Sequence, residues 1–521
     1  MKISKTLKSL SLHTALSLRT ALSFPTALSF FAILATMQVY GQVSHTPTAR
    51  QLIRQSLTAM GGEAWVSVKT LKLEGYGNSQ VIDQSERPEG PFIPQQIKST
   101  FIRDLVHNRG ILTQSTLAFK YDFPETYVLD GSYIAMKNEG KLLPVIQDQT
   151  IQDEMFLAPE KVLSNALEAN DLAYIKDTVV QQAQHALLSF HWGKYPVRFF
   201  LNRETLFLTA VSVTKPYKDN YLSIWGDSQK TTFYSCWDFI GKGLHYPLQQ
   251  DCYINGWYKS SYMISNCQVN PIVNTDSVSI PDSIKGQEDR FAKGSSPAMQ
   301  SRMDKQAKEI APGIWLLLGP CNSTVIEQPD GIVVIEGSLS SAYGDLLIAK
   351  AHQLFPGKKI KALVSTSDAW LHIGGVRSFA ALPGITIYHP YRNQFILQKL
   401  LRANYYTSPD AFASRPLHNY TLTGVRDSMV VGRGDNTLVL YSYRTETGDR
   451  QMMVYFPHHQ LLYASDLYQP KGPDGQYFAP HCAWEVYHSI GSRKLTVKQF
   501  YGMHSVSLIE YSDLENDFSG Y

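Results

Sequence analysis

Residues 364–376 read VSTSDAWLHIGGV. A short apolar strand-type run enters a polar loop, and paired glycines follow ahead of a helix-like segment. Loops of this shape often house metal chemistry, because a strand end and a close glycine backbone hold side chains in fixed directions. Here Ser365, Ser367, Asp368 and His372 crowd the loop, with Ala369 and Leu371 between them. A serine nucleophile needs a base within hydrogen-bond reach and a third group to orient it. No G-x-S-x-G turn frames either serine, so the loop reads as polar decoration in that respect. His458-His459 at a turn, His389 in IYHPYRN, and His481 beside Cys482 read as surface or packing histidines, although His481 and Cys482 could also be a ligand pair from another loop. The cysteines are Cys236, Cys252, Cys267, Cys321 and Cys482. They form no C-x-x-C pair, which excludes a zinc ribbon or thioredoxin motif. Cys236, Cys252 and Cys267 could supply one disulfide in an oxidising compartment, and the odd count leaves a free thiol.

The elements that must position the loop have a clear rhythm. Strands at Ile314–Leu318 and Ser323–Glu327 are joined by a tight polar turn, and the PDG at 329–331 leads into a third strand, Ile332–Ile335. A helix from about Ala342 to Phe355 carries Leu346, Leu347, Ala349 and Leu354, and Pro356-Gly357 ends it. Ile360–Ser365 is then a buried strand that delivers the loop.

This order resembles the metallo-β-lactamase superfamily over about 310–521. In that family the strand is followed by T-H-x-H-x-D-H-x-G-G. Aligned without a gap on Thr366 and Gly374-Gly375, the chain has Ser367 and Ala369 at the first two histidines and Leu371 at the aspartate. Only His372 is kept there. The next family histidine falls on Thr447, in TETGDRQMMVYFP, with Glu446 and Asp449 beside it. LLYASDLYQP matches the bridging-aspartate segment and keeps Asp466, while FYGMHSVSLIEY matches the terminal loop and keeps His504. The resemblance thus implies an αββα sandwich whose three-histidine metal position has lost every ligand. The neighbouring position retains His372, Asp466 and His504. Alanine and leucine cannot coordinate, and a neutral serine hydroxyl is a poor substitute. Two imidazoles and one carboxylate are by count a three-ligand zinc site. The cofactor expectation is therefore none, or a single zinc.

The preceding half is different in character. TPTARQLIRQSLTAMGG (46–62) predicts a helix with Thr46 as cap and Pro47 in its first turn, stopped by Gly61-Gly62. From there to about 275 the signal is mostly strand, including a hairpin over 197–213 with its turn at Asn202–Thr205. This pattern resembles the half-barrel of periplasmic lipoprotein-carrier proteins, which implies a concavity able to hold an apolar or acyl-type small molecule. Residues 276–309 are polar, with Pro, Gly and Ser, and read as a linker.

At 521 residues the chain is too long for one core. The fold expectation is α+β: a curved antiparallel half-barrel-like domain over 42–275, a linker over 276–309, and a metallo-β-lactamase-like sandwich over 310–521. The first 41 residues read as a signal peptide. Lys2, Lys5, Lys8 and Arg19 precede the apolar stretch 27–40, and cleavage near Gly41 would export the protein to the periplasm or outside the cell. No later run of about 18 apolar residues predicts a membrane span. The net charge of +3 is spread along the chain, with no basic run beside aromatics, so nucleic-acid binding has no support. The leading functional expectation is a non-catalytic, ligand-binding pseudoenzyme. The alternative is a mono-zinc hydrolase of ester or amide bonds using His372, Asp466 and His504.

Overall fold

The computed structural model describes residues 48–82, 92–118, 121–145, 149–216, 225–241, 243–272, 279–292, 307–415, 419–443, 450–472 and 475–520. The expected signal peptide lies outside the described residues, as do Glu446, Thr447 and Asp449. Among the described residues, no helix is long and apolar enough to cross a membrane.

The first helix is Ala49–Met60, and its cap is Thr48 rather than the expected Thr46. Gln51 explains the shift. The Thr48 hydroxyl accepts from the Gln51 amide at 3.2 Å, and the Gln51 side chain accepts from the Thr48 amide at 2.7 Å. This capping box satisfies two amides that the helix itself leaves unpaired.

A 13-stranded antiparallel sheet follows. Each strand from Thr70–Val81 to Lys141–Pro144 pairs with the next, as does each from Ala173–Val180 to Trp257–Val269. The two runs join where Thr70–Val81 pairs with Trp257–Val269. That join is tight. A Cβ on Gly75 or Gly77 would lie 2.1 Å from the facing carbonyl of Met263 or Ser261, and a bulge breaks the register between Glu74 and Gly75.

Two helices interrupt the region that the sequence reads as mostly strand: Gln149–Phe156 and Pro159–Glu168. Ile151 and Met155 pack with Leu73, Phe101 and Leu112, while Val162 and Leu163 pack with Leu188, Phe199 and the first helix. Each fully buried aliphatic contributes about 1.5–3 kcal/mol. Buried ion pairs fix the helices in place, Arg103 with Glu160 at 2.9 Å and Lys215 with Asp153.

The stretch read as a linker begins with a helix, Asp282–Ala292. Ile280 and Ile284 pack on Val128 and Ala135, and Lys285 pairs with Asp130 at 2.7 Å. Two apolar side chains four apart and one ion pair suffice to dock a segment whose composition is otherwise polar.

Residues from Lys308 onward form two further sheets. One has seven strands from Lys308–Ala311 to Tyr420–Val425, and the other six from Ser428–Val431 to Ile509–Glu510. Alternation along each strand divides its side chains between two cores. Val333 and Ile335 meet Val454, Phe456 and Tyr463 of the facing sheet. Ile332 and Val334 face outward to Leu347, Phe379 and Leu397 on helices. On the far side, Met453, Leu462 and Phe500 meet Val486, Ile490 and Leu514 on the helices Pro480–Ser492 and Tyr511–Phe518. The layers therefore run helix, sheet, sheet, helix.

The large sheet and these layers touch directly. Asp227 accepts from the amides of Tyr406 and Thr407 at 2.9 and 3.1 Å, Lys399 sits 4.4 Å from the rings of Trp225 and Trp257, and Tyr121 stacks on Phe478.

Candidate functional site

Five loops meet at one edge of the paired sheets. They follow the strands Ile314–Leu317, Gly331–Ile335, Ile360–Val364, Leu461–Tyr463 and Gln499–Tyr501. Backbone hydrogen bonds knit them together. The Met503 amide donates to the Ser465 carbonyl at 2.9 Å, the Asn322 amide to the Met503 carbonyl at 3.0 Å, and the Gly375 amide to the Gly337 carbonyl at 2.7 Å.

The double glycine has a packing reason. A Cβ on Gly374 would sit 2.0 Å from the Leu339 carbonyl oxygen, and one on Gly375 would sit 2.9 Å from those of Ser338 and Ser340. The loop after Ile335 lies directly on it. Glu336 and Leu339 in that loop, and Ser465 opposite, hold φ values of 69°, 60° and 57°. Left-handed backbone at a non-glycine costs about 1–3 kcal/mol and persists only where the surroundings over-determine it.

Glu336 is the centre of the arrangement. It is fully buried, yet its carboxylate accepts from the Thr366 hydroxyl, from the Thr366 amide at 3.4 Å and from the Tyr463 hydroxyl at 3.0 Å. Thr366 also bonds Ser465, hydroxyl to hydroxyl, at 2.6 Å. His372 Nδ1 approaches Glu336 Oε1 at 3.1 Å, though not along a hydrogen-bond direction, and neither ring nitrogen of this buried histidine has an aligned partner. Burial alone would push its pKa down. The Glu336 carboxylate opposes this and, helped by Asp466 and Asp368, leaves it raised, so the ring is held toward imidazolium. Burial and the same Glu336 carboxylate push Tyr463 well above the usual phenol range and keep it a neutral donor.

The loop residues divide between this network and the core. Ser367 is buried, and its hydroxyl accepts from the Ala369 amide at 3.3 Å, closing a local turn. Ala369 caps the short helix Trp370–Ile373, and Leu371 packs against the helix-side core. Asp368 is buried with Arg450 at 3.3 Å, and burial pushes its carboxyl up to about 7 despite that partner. Asp466 and His504 pair with each other, Oδ1 to Nε2, at 3.2 Å, and His504 is about one-third exposed at 32%. Burial pushes the Cys321 thiol up, with Asp466 and Glu336 adding to the effect, so this buried cysteine stays protonated and inert.

Other candidates from the sequence stand apart. His389 is buried, with Nδ1 2.7 Å from the Pro390 carbonyl, and burial lowers its pKa. His459 bonds Asn436 at 2.8 Å, and exposed His481 stacks on Trp484. The five cysteines are all free thiols, so the disulfide allowed by Cys236, Cys252 and Cys267 is not formed.

A zinc ion needs three protein side chains converging at about 2 Å. Among the described residues, no group of three or more His, Cys, Asp or Glu could hold a metal ion. His372 lies against Glu336 at 3.1 Å, and Asp466 and His504 lie against each other at 3.2 Å. What the arrangement offers chemically is an accessible imidazole–carboxylate pair over a sealed ionic layer. Sequence reasoning missed Glu336, Tyr463, Ser465 and Arg450. Glu336 alone left a trace, as a charge ending the otherwise apolar run GIVVI.

No protein-family model matches the sequence, and no curated protein matches it. Among solved structures, the chain is similar to the stereoselective inverting sec-alkylsulfatase Pisa1 from Pseudomonas sp., at 14% identity and a TM-score of 0.29. That match covers 41% of this chain and 41% of the sulfatase, well under two thirds of its length. The chain is also similar to a metallo-β-lactamase from Hirschia baltica, at 14% identity and a TM-score of 0.30, over 40% of this chain and 94% of that one. The mono-zinc form of the metallo-β-lactamase FIM-1 from Pseudomonas aeruginosa matches at 14% identity and a TM-score of 0.28, over 40% and 91% of the two chains.

Proposed function

We propose that the chain is an exported ligand-binding pseudoenzyme. In this reading residues 310–521 are a metallo-β-lactamase-type sandwich with a dismantled dinuclear centre, and 42–275 are a half-barrel-like domain. The observation that carries it is the Glu336–His372 contact. A histidine that the resemblance makes a metal ligand is fully buried against a carboxylate that also accepts from Thr366 and Tyr463, with Thr366 bonded on to Ser465. The helix–sheet–sheet–helix layers and the Thr366 to Gly374-Gly375 frame support the superfamily assignment. Ser367, Ala369 and Leu371, each engaged locally, support the loss of metal chemistry.

The second reading is the mono-zinc hydrolase, with His372, Asp466 and His504 as ligands. The Asp466–His504 pair favours it, because an imidazole and a carboxylate already lie side by side at 3.2 Å. Zinc would then supply Lewis acidity and an activated water. Metal content separates the two. The full chain, purified from zinc-supplemented medium and dialysed, is expected to retain less than about 0.1 zinc per chain by elemental analysis. About one zinc per chain, lost in His372→Ala, would establish the hydrolase reading instead.

A further inference from the structure

The 13-stranded sheet has a covered and an uncovered face. Along Ile93–Asp104, Phe101 and Arg103 meet the helices Gln149–Phe156 and Pro159–Glu168, while Gln96 and Lys98, of the opposite parity, are exposed. Strand register carries that outward face across five strands. Tyr76 stands opposite Met263 on one side and Lys98 on the other, and Lys98 stands opposite Ser115. Two residues along, Asn78 lies between Ser261 and Gln96, and the row continues through Leu117 to Asp122. The two rows line a cleft of about 590 Å³. Small-molecule sites run from about 300 to 1,000 Å³. With strands about 4.8 Å apart, the longer row spans about 19 Å and the rows lie about 7 Å from each other. The cleft is therefore elongated.

Much of its polar lining is uncommitted. Among the described residues, no hydrogen bond or ion pair engages the Lys98 ammonium, the Gln96 amide or the Tyr76 hydroxyl. The Asn78 amide accepts from the Tyr258 hydroxyl at 2.6 Å and keeps its own N–H groups. Asp122 accepts from the Ser115 hydroxyl through one oxygen and keeps the other. Glu74, the next outward position beyond Tyr76, is by contrast committed to Lys72 at 2.6 Å and to Asn266 at 2.7 Å. Between the polar groups lie Tyr76, Leu117 and Met263, which are 57%, 46% and 45% exposed.

Two ligand classes fit this lining badly. A fatty acid would answer Lys98 but strip water from the amides and Asp122 and return no hydrogen bonds. A nucleic-acid backbone needs several cations, whereas the cleft offers one lysine and sets Asp122 against the phosphates.

We infer that this cleft binds a short acidic saccharide, with a uronate carboxylate on Lys98, ring hydroxyls on Asn78, Gln96 and Asp122, and the C–H face of a ring on Tyr76. A sugar hydroxyl donates and accepts at once, which matches side-chain amides and a carboxylate oxygen. Its C–H face matches an exposed aromatic surface. Lys98 is the lining cation, so charge complementarity selects an anionic sugar over a neutral one. The inference rests on the reading of the chain as a binding protein and names the ligand class. The cleft shares no residue with the sandwich loops.

Calorimetric titration of the full chain with trigalacturonate and trimannuronate tests this, with maltotriose and hexanoate alongside. At least one triuronate is expected to bind. Maltotriose and hexanoate should bind about tenfold more weakly or worse, the worth of one hydrogen bond to a charged group. Lys98→Met should weaken the triuronate by the same factor, and Lys98→Arg should restore it. Tyr76→Ala should weaken it about threefold or more. These side chains are exposed, so urea unfolding of the variants should match the wild type. The ligand series on the wild-type chain needs no variant. Binding of neither triuronate, maltotriose or hexanoate binding as tightly as the better triuronate, or full affinity in Lys98→Met would each overturn the inference. Zinc content varies independently. A chain that held zinc and bound a triuronate would end the pseudoenzyme reading and leave this site standing, and a zinc-free chain that bound neither would do the reverse.

Discussion

The chain buries ionised groups in two places, and they are built in opposite ways. On the 13-stranded sheet the cations are Arg103 and Lys215, each paired with a carboxylate from a covering helix. Glu154, beside them, stays exposed to a cavity. In the sandwich the carboxyl groups Glu336 and Asp368 are buried, the first against His372 and the second against Arg450. The first arrangement pins helices to the sheet beside a cavity. The second fixes loops and leaves its central carboxylate no way out. The contrast teaches that the same kind of buried pair can fasten a helix to a sheet or one loop to another.

The sharpest way to break this comparison is to remove the sealed carboxylate. Glu336→Ala would leave Thr366 and Tyr463 without their common acceptor and a fully buried imidazole without its facing carboxylate. Breaking a buried pair on one side costs about 3–5 kcal/mol. Urea unfolding should show a loss of that size with the slope unchanged. A loss below about 1 kcal/mol would mean that the network is not structural and that the edge is open to other chemistry.

Asp368 supplies a smaller effect with a definite sign. Its carboxyl is pushed up to about 7 by burial, against Arg450, whereas the unfolded chain titrates it near 4. Between those values the native state holds a proton that the unfolded state has lost. The contribution to stability is therefore full below about pH 4 and disappears as pH rises through about 7. Stability should fall on the order of 2 kcal/mol between pH 5 and pH 8 on this account, and Asp368→Asn should flatten the slope. An unchanged slope in the variant would show that Arg450 keeps Asp368 ionised throughout.

What the sequence disclosed follows from where each interaction lies along the chain. The strand Gly331–Ile335 and the helix Ser341–Leu354 were legible because both are set by local periodicity. The Thr366 to Gly374-Gly375 frame was legible because close backbone approach demands glycine. Glu336 was not, since its partners Thr366 and Tyr463 are 30 and 127 residues away. The helices Gln149–Phe156 and Pro159–Glu168 were hidden for the same reason. Asp153 and Glu160 acquire meaning only through Lys215 and Arg103, 62 and 57 residues distant. The docked helix Asp282–Ala292 has too few apolar positions to stand out from a polar stretch.

The finest distinction is between two glutamates that a sequence cannot tell apart. Glu154→Gln alters a group that is exposed and whose neighbours Asp153 and Met155 already fasten the helix to the sheet. Surface-like substitutions of this kind move stability by no more than about 0.5 kcal/mol. Thermal and urea unfolding of Glu154→Gln should therefore coincide with the wild type. A destabilisation approaching that of Glu336→Ala would reverse this distinction, because it would make Glu154 one more clamp between the covering helix and the sheet.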